Sequence, residues 1–235
     1  MVTLDALLND YRQQWQVLSD WMSNLPDPAA PTPSVLPGWS LADLIGHLGR
    51  VHDSVLALRP VELPPDDEPV TLSEYLASYA GGGAHITEVT QAFTAQIADD
   101  PLGQVRLLGE RAIAHLQSLA DRGPESVVQA RRGPITLLDF VRSRLIELVV
   151  HGYDLAPTLP VPAPVDPTAR TIVANALIEV VRHRTGYRIE VVNEEPWIKA
   201  ATGRISWADA VAARTIKPES VSDGTPDLSR ALPLL

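Results

Sequence analysis

The stretch RSRLIELVVHGYDLA, residues 142–156, sets a glutamate and a histidine four positions apart in a run that reads as helix. At that spacing Glu147 and His151 project from one face, one above the other. A second stretch, PGWSLADLIGHLGR at residues 37–50, carries His47 among apolar residues at helical spacing. Two imidazoles and a carboxylate are a common ligand set for a catalytic zinc, or for a similar divalent metal with an open coordination position. If the two helices face each other in a bundle, the three side chains meet in its interior. The plainer reading of the same spacing is an ordinary intrahelical Glu–His pair.

Helical periodicity also runs through residues 3–24, at Leu4, Leu7, Leu8, Tyr11, Trp15, Leu18, Trp21 and Met22. Residues 26–37 are proline-rich and read as a loop. Ser40 reads as an N-cap, with Asp43 three positions on in a capping-box-like arrangement, and opens a helix over about 41–58. Its stripe of Leu41, Leu44, Ile45, Leu48, Val51 and Val55 flanks His47. After an acidic, proline-rich loop at 60–69, a helix is expected over 72–97, weakened at Gly81, Gly82 and Gly83. Each glycine costs roughly 1 kcal/mol relative to alanine, so the run either breaks the helix or admits another backbone or a ligand. A helix over about 104–120, a connector at 121–133 and the Glu147 helix from about 136 to before Pro157 complete a bundle over residues 1–156.

The segment 155–167 holds five prolines, and 157–167 reads as a linker. Beyond it the pattern changes. Residues 168–184 are helical, and 187–193 alternate as a strand with Ile189 and Val191 on one face. Residues 197–201 read as a second strand, and 206–213 as a short helix capped by Ser206. The expected fold class is therefore α+β, mainly α: a helical bundle, then a small α+β domain over 168–235.

Composition narrows the chemistry. The 235-residue chain has no cysteine, which excludes structural disulfides, cysteine-ligated zinc, iron–sulfur clusters and a protein thiol nucleophile. Any thiol must arrive as a cosubstrate. A formal net charge of −10 argues against a nucleic-acid surface. The first residues lack the basic-then-apolar pattern of a signal peptide, and no apolar run approaches the roughly 18–20 residues of a membrane span. A soluble, cytoplasmic protein is expected. No G-x-S-x-G segment and no phosphate-binding glycine loop occur.

Other residues qualify the site. Asp154 is placed to orient a ligand histidine, or simply lies near a helix end. Glu147 can alternatively act as a general base. Arg142 and Arg144 precede Glu147 and either contact an anionic substrate or lie on a solvated face. His52 points to another face than His47; His85 follows the glycines and either reaches the site or is solvated; His115 reads as a helix-face residue, and His183, between two arginines, as solvent-facing. Trp197 and Trp207 either line an apolar pocket or pack in a core.

At PGWSLADLIGHL and IELVVHGYDLA the sequence resembles the mycothiol-dependent maleylpyruvate isomerase family, within the wider DinB-like group of four-helix metalloproteins. The family pattern is PGW-x-x-x-D-L-x-x-H, then E-x-x-x-H followed by an aromatic residue, Asp and Leu. His47, Glu147 and His151 occupy its three ligand positions, and Tyr153 stands where tryptophan is usual. The resemblance implies a DinB-like four-helix bundle with a divalent metal, zinc by preference, and a mycothiol-like thiol as cosubstrate for isomerisation or thiol transfer on a small electrophile. The C-terminal stretch, with its TGR, WADAVAA and closing DLS and LPLL, is similar to the end of sterol-carrier-like domains. Such a domain closes the family isomerases and contributes an arginine to the active site, for which Arg204 and Arg214 are the candidates. The other class of function is a non-catalytic protein holding an apolar or lipid-like ligand in the C-terminal domain. Small-molecule partners and a monomer or homodimer are expected.

Overall fold

The computed structural model describes residues 3–27, 32–123, 125–219 and 226–234. Parts of the loop at 26–37 and of the C-terminal stretch, including Leu235, lie outside the described residues. The chain opens with α1 (Leu4–Met22), whose apolar stripe is buried from Leu4 to Met22. The next helix, α2 (Leu41–Leu56), starts at a complete capping box. Ser40 Oγ accepts from the Asp43 N–H at 3.1 Å, and Asp43 Oδ2 accepts from the Ser40 N–H at 2.9 Å. Two of the helix's orphan donors are thereby satisfied. Ser40→Ala is expected to cost about 1 kcal/mol, read as a lower denaturation midpoint at unchanged slope; an unchanged midpoint would show that the helix start is held by packing instead.

After β1 (Arg59–Pro60) the expected helix over 72–97 proves to be two, α3 (Leu72–Ala77) and α4 (Gly83–Gln96). The glycine run breaks it: Gly81 has φ +77°, and a Cβ at Gly81 or Gly83 would meet nothing within 4 Å. No other part of the described chain comes close at those two positions. Then come α5 (Pro101–Ala120), β2 (Val127–Ala130), β3 (Gly133–Thr136) and α6 (Leu137–Leu155). The expected connector over 121–133 thus contains a hairpin strand. β2 pairs antiparallel with both β1 and β3, with Arg59 opposite Gln129 and Val128 opposite Ile135. β2 and β3 have four residues each, and their turn is Arg131-Arg132 rather than the Asn-Gly type that marks a hairpin in sequence.

The four-helix core consists of α1, α2, α5 and α6, in which α1 and α2 each pack on both α5 and α6. α4 lies outside this core and packs on α2. Two glycines let it come close: a Cβ on Gly46 would sit 2.3 Å from Thr94 Oγ1, and one on Gly49 2.8 Å from Phe93 Cε1.

Past α6 the proline-rich stretch is laid along α1. Gln14 Nε2 donates to the Pro164 carbonyl at 2.9 Å, Trp21 Nε1 to the Pro162 carbonyl at 3.2 Å, and the Asp166 N–H to Gln14 Oε1 at 2.8 Å. Then follow α7 (Pro167–Thr185), β4 (Ile189–Val191), α8 (Glu194–Ala201), α9 (Trp207–Ala212) and β5 (Ile216–Pro218), with β4 and β5 antiparallel. The expected strand at 197–201 is the helix α8. Glu194 and Glu195 favour the positive end of a helix, Pro196 is tolerated in a first turn, and Trp197, Ile198 and Ala201 bury one face. Arg184 ties α7 back to α3 and to the C-terminal segment, donating to the Ser73 carbonyl at 3.1 Å and the Leu234 carbonyl at 3.0 Å. One cluster of buried apolar side chains runs from Leu4 to Leu234.

Candidate metal centre

α2 and α6 bring His47, Glu147 and His151 together across a separation of a hundred residues. His47 Nε2 lies 3.4 Å from Glu147 Oε2, and His151 Nε2 lies 3.2 Å from the same oxygen. One donor atom from each of the three lies within 4.8 Å of the others. Donors at about 2.0–2.1 Å from a zinc ion with tetrahedral angles stand roughly 3.3–3.4 Å apart, so both measured pairs fit a single ion. The His47 and Glu147 side chains keep 14% and 17% of their exposure against 8% for His151. The cluster therefore opens towards solvent on the His47–Glu147 side, as an open coordination position requires.

Each imidazole uses its outer nitrogen elsewhere. His151 Nδ1 lies 2.9 Å from Asp154 Oδ2. Asp154 is 3% exposed, and Arg204 grips it with two bonds, Nη2 to Oδ2 at 2.7 Å and Nε to Oδ1 at 3.2 Å. Such a carboxylate–histidine pair fixes ring orientation and leaves Nε2 to face an ion. Arg204 is itself held by donation from Nη1 to the Thr202 carbonyl at 2.7 Å. On the other side His47 Nδ1 lies 3.4 Å from the hydroxyl of Thr90 on α4. The Trp39 ring meets His47 edge-on with centroids 5.1 Å apart, and its Nε1 donates to Thr87 Oγ1 at 3.0 Å.

Electrostatics favour an ionised carboxylate in the cluster. Burial pushes the Glu147 carboxyl up, but hydrogen bonds from His151 and His47 and the charge of Arg144 outweigh it and hold it well below the usual carboxylate range. Burial pushes His47 down, only partly opposed by its bond to Glu147. Burial also works against protonated His151, but Asp154 and Glu147 outweigh it and raise its pKa. Of the two imidazoles His151 is therefore the more readily protonated, and an ion binding at its Nε2 competes with that proton. For Asp154 the upward push of burial is overcome by His151 and Arg204, which bring it to about 2.

The remaining sequence candidates separate cleanly. Arg142 is spent on Asp139 and on Glu179 of α7. Arg144 is buried and donates to Tyr79 OH at 2.8 Å, Ser143 Oγ at 3.2 Å and Ser54 Oγ at 3.3 Å; among the described residues no carboxylate forms an ion pair with it. Arg214 is exposed in the turn after α9 with φ 50°, and no contact joins it to the cluster. His85 is exposed and pairs with Glu88 at 3.8 Å, away from the cluster. His115 Nε2 lies 3.2 Å from the Leu58 carbonyl, and His183 is exposed. His52 is fully buried between Tyr11, whose hydroxyl is 2.9 Å from its Nδ1, and Trp15. Trp197 is a core residue, fully buried with Nε1 donating to the Ala174 carbonyl at 3.1 Å, and Trp207 packs against the same core. Sequence reasoning missed Thr90, for which no local signal exists, and Trp39, which stood inside a quoted motif with no role given.

A family model described as Mycothiol maleylpyruvate isomerase N-terminal domain matches residues 11–156. That span holds all three residues of the cluster together with Thr90 and Asp154, and stops one residue past α6. No curated protein and no solved structure matches the chain.

Proposed function

The chain belongs to the mycothiol maleylpyruvate isomerase N-terminal domain family, and on that premise we propose that it is a divalent-metal enzyme using a low-molecular-weight, mycothiol-like thiol on a small electrophile. At family level it is a mycothiol-related, metal-binding protein with a DinB-like bundle. The observation that carries the reading is the convergence of two Nε2 atoms on one carboxylate oxygen at 3.2 and 3.4 Å, with a second partner on each outer nitrogen.

His47, Glu147 and His151 would hold the ion, with zinc the choice that suits a His₂Glu set. A bound divalent ion supplies Lewis acidity that lowers the pKa of a thiol placed beside it, making thiolate available near neutral pH. Asp154 orients His151, and Arg204 keeps Asp154 ionised and in place. Arg144 adds a buried positive charge one turn along α6 from Glu147. The thiolate sulfur forms one bond to an electrophilic alkene carbon as the π pair moves onto the conjugated carbonyl, the resulting single bond turns about its axis, and the pair returns to re-form the double bond as the same carbon–sulfur bond breaks and the thiolate leaves. No thiol is consumed. With a leaving group on the substrate, the same addition ends in thiol transfer.

The absence of cysteine fits a protein that borrows its sulfur, and use of a reduced low-molecular-weight thiol would suit the cytoplasm. Among the described residues no helix is long and apolar enough to cross a membrane. We read residues 168–235 as a sterol-carrier-like domain that follows the bundle and supplies Arg204 to it; among the described residues no contact joins Arg214 to the site. The test is turnover of small electrophiles with mycothiol before and after chelation. Activity should fall more than about 100-fold on metal removal and return on adding zinc back, in line with metal acting on the reacting group. Thiol-dependent turnover that survives complete metal removal would defeat the reading.

A further inference from the structure

α4 is an unusual investment for this chain. It stands outside the four-helix core, and of its fourteen residues only Thr90 is buried. Phe93 packs partly buried against the core, but the one fully buried side chain that the helix brings inward is polar, and its hydroxyl faces His47 Nδ1. Thr94, one turn on, spends its own hydroxyl on the Thr90 carbonyl at 3.0 Å, as helix threonines commonly do. Thr90 instead has His47 as its side-chain partner. Further bonds hold α4 in register: Trp39 Nε1 to Thr87 Oγ1 at 3.0 Å, and Gln91 Nε2 to the Gly38 carbonyl at 3.4 Å. Gly46 and Gly49 clear the surface of α2 on which it sits.

The two histidines of the cluster are thus supported differently. His151 leans on a carboxylate, fixed by Arg204; His47 leans on a neutral hydroxyl from a lightly packed helix. A hydroxyl can accept from an Nδ1–H or donate to a bare Nδ1, so it supports the ring both with and without an ion at Nε2. We propose that Thr90 is the positioning residue for His47 and that α4 is docked on α2 to supply it. The proposal rests on the reading of His47 as a metal ligand.

The test compares Thr90→Val, which keeps the shape and removes the hydroxyl, with Thr90→Ser, which keeps the hydroxyl. Cobalt(II) alone is the probe, with affinity and visible spectrum recorded for each protein, beside the ¹⁵N ring shifts of His47 in the metal-free state. Thr90→Val should bind cobalt about 10-fold more weakly, within the 10–100-fold range for loss of an outer-shell partner, with an altered spectrum and displaced His47 shifts. Thr90→Ser should restore all three. Wild-type affinity, spectrum and ring shifts in Thr90→Val would overturn the proposal. If the wild type binds no metal, the metal reading itself fails, and the His47 ring shifts alone decide: moved in Thr90→Val and restored in Thr90→Ser, Thr90 still positions His47; unmoved, it does not.

Discussion

His151→Ala is expected to strip the protein of its metal. Elemental analysis of the purified wild type should find near-stoichiometric zinc or a similar divalent ion, and the variant should retain almost none. Loss of an outer-shell partner alone costs 10–100-fold in affinity, so loss of a donor nitrogen should cost more than about 100-fold. The fold should survive. His151 is 6% exposed, but its side chain contributes polar contacts to Glu147 and Asp154 rather than apolar filling. Removing it leaves Glu147 with His47, and leaves Asp154 with both bonds from Arg204. A wild type that holds no metal even after reconstitution would sink the metalloenzyme reading, and equal metal in both proteins would place the ion elsewhere.

Asp154→Asn should have the next largest effect, because one nearly isosteric change removes the charge that His151 and Arg204 share. His151 loses its anionic acceptor, and Arg204 keeps at most one good bond where it had two. Metal affinity should drop about 10–100-fold, with the ion still detectable at saturating concentration. The same substitution should alter acid stability of the metal-free protein. The folded pKa of Asp154 is brought down to about 2, below the roughly 3.9 of an unperturbed aspartate. Its stabilisation is therefore fully present above about pH 4 and lost as pH falls towards 2. Denaturation midpoints at pH 5 and pH 3 should diverge more in the wild type than in Asp154→Asn. An equal pH dependence in the two proteins would mean that the Arg204–Asp154–His151 chain does not form in solution.

Much of the helical segmentation was legible in the residues themselves. Apolar spacing from Leu4 to Met22 and from Leu41 to Val55 marks buried helical faces, and a Ser/Asp capping box at Ser40 and a serine N-cap at Ser206 announce helix starts. These signals are local, so the chain states them without its fold. Where local signals are weak or divided, the expectation failed. Residues 127–136 are too short and carry the wrong turn residues to advertise a hairpin. Residues 194–201 combine a β-favouring Trp-Ile pair with an acidic, proline-bearing first turn, and burial of a helical face against α7 decides for helix.

The site divides along the same line. The shared helix face of Glu147 and His151, the inward-facing apolar setting of His47 and the lack of any cysteine can all be read from the residues alone. Which polar groups stand behind those side chains emerges from the packing of the helices against one another. Arg204 reaches Asp154 from fifty positions away and Thr90 reaches His47 from forty-three. The same packing separates Arg144, buried among hydroxyls, from Arg142, spent on surface carboxylates. Spacing along one helix follows from its 3.6-residue turn, whereas contacts between helices depend on how close their surfaces come, and here that is set by glycines on α2 and by the path of the chain after α6.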